Sequence, residues 1–329
     1  MRRIRLIGIL VAATLVGSSA MTAGAETGKV GAIDRLFTLI GDVPLGPASG
    51  RLDYQSLDPV ARRLYIAGMG AGKLLVFDLA QGRLISALDG FPKITGVLAV
   101  PELRRVYASV PGAGLLPALS MALGMAGLSS GRGAIAILDS HDLRSIARLP
   151  GGVFPDGIAY DPDHRRTFVS DELGSAVLVI DAATDRLLAR IATGGEVGNV
   201  QYDPLTRTIY APVQSRDEFV AIDPAGLRLL HRHPLPGCRH PHGLAVAPKG
   251  GIGYFACDGN DRLVSVELVG GKVVEQMPLG HDPDVMAIDA KAGRLYVAAE
   301  AGTLASFAIG ENAALDALGI VNAGKAAHS

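Results

Sequence analysis

The chain has 329 residues and nearly balanced charge, with 31 lysines and arginines against 32 aspartates and glutamates. The net charge of −1, without a basic stripe in the mature part, excludes nucleic acid as a partner. The 42 glycines and 19 prolines suit many tight turns, which favours one large all-β domain over the two domains that the length alone would allow.

Residues 1–25 have the organisation of a signal peptide. Arg2, Arg3 and Arg5 precede an apolar run over 6–16, and small residues follow up to Ala25. Because this run is shorter than a bilayer span, a cleaved leader is preferred to a membrane anchor. We therefore predict an exported mature protein of residues 26–329, periplasmic or secreted in a bacterium, with no transmembrane span after the leader is removed.

A motif of the form Pro-(Asp/His)-Gly-(Ile/Leu)-Ala, followed by Asp-Pro, recurs along the chain. Subtraction of residue numbers gives intervals of 42 to 44 residues, except for 61 between the second and third copies. This is the period of a propeller blade, so the second copy carries an insertion of about 19 residues. Aligned copies place the following residues at one repeat position: Asp53, Thr95, Asp156, Gly198, His242, Asp284 and His328.

Each repeat is predicted to form four short antiparallel strands. In the third repeat, apolar runs at 157–160, 165–169, 177–180 and 186–191 are separated by Asp, Pro and Gly. Such a unit buries its faces only by stacking on its neighbours. We therefore predict an all-β propeller of four-stranded antiparallel blades, with six complete repeats near 52–88, 93–149, 156–192, 198–235, 242–279 and 284–319.

The repeats resemble the YVTN-repeat β-propeller family. The name-giving tetrapeptide is present in degenerate form as Tyr65-Ile-Ala-Gly, Phe168-Val-Ser-Asp and Tyr296-Val-Ala-Ala. The resemblance covers about residues 30–329. It implies a seven-bladed, exported bacterial protein that acts as a binding scaffold, although one fold hosts many activities.

The two ends of the domain are expected to be fragments of a seventh repeat. The segment 34–40 reads as a fourth strand without three preceding strands, and 325–329 reads as the opening of another repeat. In a closed propeller these fragments would share one blade and remove exposed strand edges. If the chain is truncated within this blade, the open edges should cause aggregation or instability.

The insertion at about 111–132 is apolar and compatible with a helix, although its glycines weaken one. It replaces a loop beside the channel mouth. The insertion could form a lid, a surface for a partner, a shallow membrane contact or a short helix packed on its own blade. The last of these is slightly favoured.

Cys238 and Cys257 are the only cysteines. Cys238 precedes a first strand, and Cys257 ends the second strand of the same repeat, so the hairpin brings both to one end of the blade. An oxidising compartment permits a disulfide, but pairing would place Cys257 opposite 241 or 242. A bridge and two free thiols are equally compatible with the sequence.

Polar residues concentrate on the loops of one propeller face, around the mouth of the central channel. The ligand-binding candidates are Asp53, Asp156, Asp171, His242, Asp284 and His328. Imidazoles and carboxylates together suit a divalent metal ion, and two histidines one residue apart on an extended strand would point the same way. The metal-ligating candidates are His240, His242, His281, Asp282 and Asp284.

These observations leave two main functions. The first is a periplasmic scaffold that binds a small molecule or a periplasmic protein at the channel mouth. The alternative is a metal-dependent propeller enzyme, either a lactonase-like hydrolase or an oxidoreductase. No catalytic residue is identified, because no Ser-His-Asp order, P-loop or dinucleotide motif stands in a suitable context. The only cofactor suggested is one divalent metal ion, and a structural or adhesion module is disfavoured by the single domain.

Overall fold

The computed structural model describes residues 3–8, 36–45, 50–112 and 133–323. Within them, six four-stranded antiparallel sheets form the blades of a propeller ring. The first strands of successive blades lie against one another around the channel, and the fourth strands lie outside with largely exposed residues. The predicted all-β propeller with six complete repeats is confirmed.

The strands of each blade follow one another in sequence, so no blade borrows a strand from another. Blade 1 contains β3 (Gln55–Asp58), β4 (Arg63–Gly68), β5 (Lys73–Asp78) and β6 (Arg83–Leu88). Blade 2 contains β7 (Val97–Val100), β8 (Arg105–Val110), β9 (Gly133–Asp139) and β10 (Ser145–Gly152). Blade 3 contains β11 (Pro155–Asp161), β12 (Arg166–Asp171), β13 (Ala176–Asp181) and β14 (Arg186–Ala192).

The second half of the ring repeats this pattern. Blade 4 contains β15 (Gln201–Asp203), β16 (Thr208–Val213), β17 (Glu218–Asp223) and β18 (Arg228–Pro234). Blade 5 contains β19 (Pro241–Val246), β20 (Ile252–Cys257), β21 (Arg262–Glu267) and β22 (Lys272–Pro278). Blade 6 contains β23 (Pro283–Asp289), β24 (Arg294–Ala299), β25 (Thr303–Ile309) and β26 (Leu315–Asn322).

Three short 3-10 turns accompany these strands, at Met69–Ala71, Pro101–Leu103 and Gln214–Arg216. The described residues contain no helix of the length and apolar character that a membrane crossing requires. Most of the predicted insertion, 113–132, lies outside the described residues.

A bulge at the start of the first strand presents the repeat-position residue to the channel. In blade 5, Pro241 pairs with Cys257 and Gly243 pairs with Ala256, so His242 has no partner in the ladder. The first strands of blades 3 and 6 shift register at the same point, around Asp156 and Asp284. Because a bulge redirects the side chain of its extra residue, the motif turns these residues away from the regular pleat.

The motif glycine lets adjacent blades approach each other at the channel. A Cβ atom added at Gly243 would clash with the carbonyl oxygen of Asp284 in the next blade, and one added at Gly96 would clash with that of Asp156. The Cβ atoms of other residues essentially never lie within 3.0 Å of such an atom. Gly243 and Gly96 are therefore needed because the backbone of the neighbouring blade lies against them.

Buried side chains of the second strands connect neighbouring blades. The hydroxyl of Tyr65 in blade 1 donates to the carbonyl of Ser140 in blade 2 at 3.1 Å. Likewise, Tyr254 in blade 5 donates to the carbonyl of Ala313 in blade 6 at 2.8 Å. Both rings are fully buried, so each tyrosine contributes apolar area and satisfies its hydroxyl group.

The predicted fragments of a seventh repeat do not form a blade within the described residues. Strand β2 (Thr38–Pro44) pairs with β1 (Arg3–Gly8) in a separate two-stranded sheet, and residues 324–329 lie outside the described residues. The segment around β2 contacts both ends of the ring. Leu45 is buried with Ile66 of blade 1, and the ring of Phe37 lies 5.9 Å from that of Tyr296 in blade 6.

Candidate functional site

A cavity of about 340 Å³ lies at the channel mouth and is lined from all six blades. Its lining follows the repeat, in three rings of equivalent positions. The repeat-position ring contains Asp53, Thr95, Asp156, His242 and Asp284. The second-strand ring, formed by the residue after each second strand, contains Met69, Glu172, Gln214, Asp258 and Glu300. The entry ring, two residues before the repeat position, contains Arg51, Phe154, His240 and Asp282.

His242 lies at the centre of a buried hydrogen-bonding network. Its Nε2 atom is 3.1 Å from Oδ1 of Asp284 and 4.0 Å from Oδ2 of Asp156. Its Nδ1 atom is 3.1 Å from Oε1 of Gln214, whose Nε2 donates to Glu172 at 3.3 Å. Burial opposes the charged imidazolium, but the carboxylates of Asp284, Glu172 and Asp156 outweigh it and raise the pKa of His242.

Two further groups of this network hold protons more tightly than usual. Burial, reinforced by the carboxylate of Asp156, raises the pKa of Glu172 to about 8. Burial and the carboxylates of Asp156 and Asp284 also raise the pKa of Tyr54, whose hydroxyl is 3.5 Å from Oδ2 of Asp156. The cavity therefore combines an imidazole whose pKa is raised, the carboxyl groups around it, and Glu172, whose pKa of about 8 favours the protonated form at neutral pH.

His240 and His242 both line the cavity but contact different partners. The Nδ1 atom of His240 is 2.7 Å from Asp258, and its Nε2 atom is 3.7 Å from Glu196. Hydrogen bonding to Asp258 and then to Glu196 raises the pKa of His240 to about 10, and the bond to His240 lowers the pKa of Glu196. The prediction that the two histidines share one extended strand is wrong, because β19 begins at Pro241 and His240 has a φ of +50°.

Asp171 does not line the cavity. Its carboxylate accepts hydrogen bonds from the backbone N–H groups of Val153 and Phe154 at 2.8 and 2.9 Å. It therefore fixes the loop that carries Phe154, which is part of the entry ring. Of the other ligand-binding candidates, Asp53, Asp156, His242 and Asp284 line the cavity, and His328 lies outside the described residues.

The five predicted metal ligands do not meet in one cluster. Among the described residues, the group able to hold a metal ion consists of Asp261, His281 and Asp282, whose ligand atoms lie within 4.8 Å of one another. His281 Nδ1 is 3.1 Å from Asp261, and hydrogen bonding to Asp261 raises the pKa of His281. This group is exposed, and His242 with Asp284 belongs to the buried network instead.

Cys238 and Cys257 form a disulfide with a Cα–Cα distance of 5.3 Å, which resolves the two alternatives left by the sequence. Cys257 pairs with Pro241, so the bridge closes the loop that carries His240. This loop is also held by Asn260, which accepts from the backbone of Arg239 and donates to the carbonyl of Gly237. The cavity wall on blade 5 is therefore cross-linked at its base.

Sequence reasoning missed Tyr54, Gln214 and Glu196. Tyr54 occupies the position that is glycine in the motif of the second, third and fifth repeats, and this departure was a usable signal. Gln214 is equivalent to Glu172 and Asp258, but their ring becomes visible only when the end of each second strand is known. Glu196 lies two residues before Gly198, at the position of His240 in the next repeat.

No protein family matches the chain, and neither does any curated protein. Solved propellers share its fold. Hydrazine synthase from Kuenenia stuttgartiensis aligns with 77% of this chain and 75% of its own, at 17% identity and a TM-score of 0.62. A streptogramin B lyase aligns with 83% of this chain and 84% of its own, at 12% identity and a TM-score of 0.65. At these identities the likeness shows the propeller fold alone.

Proposed function

We propose that this protein is an exported propeller of the YVTN-repeat type that binds a small molecule in the channel-mouth cavity. One observation carries the proposal: equivalent positions of the repeat bring polar side chains from all six blades around a cavity of about 340 Å³. This volume lies at the lower end of the range for small-molecule sites, which combine a preformed concave shape with a few convergent polar groups. The predicted leader supports export to the periplasm.

The rigidity of the lining supports a binding role. Asp156, His242 and Asp284 extend from bulges in paired strands, and neighbouring loops are held by Asp171, by Asn260 and by the disulfide. A preformed site loses little conformational freedom when a ligand binds, and this favours affinity. The paired strands thus hold polar residues at the loops, where binding residues are commonly found.

A metal-dependent enzyme is the second candidate, and two observations favour it. Asp261, His281 and Asp282 have the donor set for a divalent cation at the rim. In the cavity, Glu172 with its pKa of about 8 and the His242 imidazole are suited to general acid and base chemistry. The streptogramin B lyase with a similar fold shows that propellers support lyase chemistry, and its activity is not transferred to this chain.

Blocking the cavity without changing its charge tests the proposed function. Met69→Trp adds a bulky ring to the lining, and Val60→Trp adds the same ring on an outer turn where Val60 is 82% exposed. We expect small molecules that raise the melting temperature of the wild type to bind Met69→Trp at least about tenfold more weakly, by calorimetric titration, and Val60→Trp normally.

Retained affinity in a folded Met69→Trp variant would contradict binding in this cavity. Metal analysis of the purified protein distinguishes the binding scaffold from the metal-dependent enzyme. Stoichiometric metal in the wild type that is lost in Asp261→Ala would favour the enzyme. N-terminal sequencing of the exported protein, expected to begin at Glu26, checks the leader.

A further inference from the structure

We infer that the ligand of this cavity is a small organic cation, consisting of a primary ammonium group on a short apolar body. The inference rests on the proposed function and adds the chemical class of the ligand. Four features of the cavity carry it: its charge, the burial of its carboxylates, its aromatic surface and the separation of its acidic groups.

The charge of the lining is the first feature. Carboxylates outnumber cationic side chains, of which the lining contains one arginine and two histidines. Arg51 pairs with Glu300 at 2.7 Å, His240 with Asp258 at 2.7 Å and His242 with Asp284 at 3.1 Å. The lining also contains Asp53, Asp156 and Asp282, whereas Glu172, with a pKa of about 8, is largely protonated at neutral pH. The cavity therefore keeps an excess of negative charge that attracts a cation.

The burial of these groups is the second feature. Asp53, Asp156 and Asp284 are 3%, 4% and 8% exposed, and they come from blades 1, 3 and 6. Burial raises the pKa of Tyr54, and the carboxylates of all three aspartates add to this increase. Buried carboxylates are stabilised by a cation placed among them, because an ion pair in a desolvated site offsets part of the cost of burial.

The aromatic surface is the third feature. Tyr54 and Phe154 line the cavity from blades 1 and 3, and Met69 adds a thioether. Only 5% of the chain is aromatic, so two aromatic rings in one small cavity are a local concentration. Aromatic faces attract ammonium groups, and a methionine accommodates alkyl chains of varied shape. This surface suits a ligand with a hydrocarbon body rather than a hydrated ion.

The separation of the carboxylates is the fourth feature, and it argues against a bare metal ion. Metal ions need several donor atoms that converge within a few ångströms. Among the described residues, the group that meets this condition is the exposed one at Asp261, His281 and Asp282, and it contains no member of the buried network. A volume of about 340 Å³ holds roughly ten water-sized groups, which suits an amine of several atoms.

Calorimetric titration of the full chain with matched probes tests this inference. The probes are pentylamine, cadaverine and agmatine, with 1-pentanol as the neutral isostere, pentanoate as the anionic one, and calcium and zinc chlorides. We expect at least one amine to bind at least about tenfold more tightly than pentanol and pentanoate, and more tightly than either metal ion at the cavity. Asp156→Asn should weaken amine binding at least about tenfold, while Asp316→Asn on the exposed outer strand should leave it unchanged.

Each other result overturns the inference in a recognisable way. If the protein binds neutral or anionic probes in preference to amines, and Met69→Trp abolishes this binding, the ligand class is wrong but the proposed function stands. Metal binding that is lost in Asp156→Asn also contradicts the class. If no probe binds the folded wild type, the inference fails, and a wider ligand screen then decides the proposed function separately. If Asp156→Asn does not fold, Asp284→Asn takes its place. Unchanged amine affinity in whichever variant folds would contradict the inference.

Discussion

At the scale of single residues, the cavity is defined by what surrounds each titratable group. His240 and His242 are two residues apart in the chain, yet His242 belongs to a buried network and His240 forms a half-exposed pair with Asp258. A one-residue bulge and a left-handed turn residue produce this difference. Neither is encoded in the spacing of the histidines, which is why the sequence predicted one shared metal site.

Glu172 gives a pH prediction at this scale. Its folded pKa of about 8 exceeds its ordinary value of 4.5, so the folded state retains a proton that the unfolded state has lost. The free energy of unfolding should therefore fall as the pH rises from about 4.5 to about 8. Glu172→Gln removes this proton uptake and should be more stable than the wild type at pH 8.5 by at least about 1 kcal/mol.

Urea unfolding of both proteins at pH 5 and pH 8.5 measures this difference, with the exposed Glu311→Gln as the control. If the free energy of unfolding falls by the same amount from pH 5 to pH 8.5 in the wild type and in Glu172→Gln, the pKa of Glu172 is not raised.

At the scale of elements, each residue of the repeat motif has its own structural role. The proline pairs with the end of the second strand, the next residue forms the bulge, and the glycine admits the neighbouring blade, as at Pro241, His242 and Gly243. The period alone predicted the blades, because strands and turns repeat visibly in the sequence. It did not predict the bulge, since a bulge depends on pairing with a strand about fifteen residues away.

Substitution of the motif glycine should weaken the contact between blades 5 and 6. Gly243→Ala places a Cβ against the carbonyl of Asp284, whereas Gly270→Ala adds one where no atom lies within 4 Å. We expect Gly243→Ala to cost about 1 to 3 kcal/mol of stability and Gly270→Ala to stay within about 0.5 kcal/mol. Thermal unfolding followed by circular dichroism gives both values. Equal melting temperatures for the two variants would mean that the blades tolerate a wider spacing.

At the scale of the whole molecule, six blades place equivalent positions around one axis. The sequence identified four equivalent residues that the ring brings together at the cavity: Asp53, Asp156, His242 and Asp284. Gln214 joined them only through the folded geometry, because its ring becomes visible only when the end of each second strand is known, whereas Tyr54 stands at the motif glycine position. The closure of the ring was less predictable: β2 pairs with β1, and residues 325–329, which were expected to share its blade, lie outside the described residues.

A crystal structure of the protein soaked with the amine that binds most tightly would show whether the channel-mouth cavity holds an organic cation. We predict density for the ligand inside the channel-mouth cavity, with its ammonium nitrogen within about 3.2 Å of carboxylate oxygens of Asp156 or Asp284 and its alkyl chain against Tyr54 and Phe154. Clear density at another surface, with the cavity holding solvent only, would contradict the account.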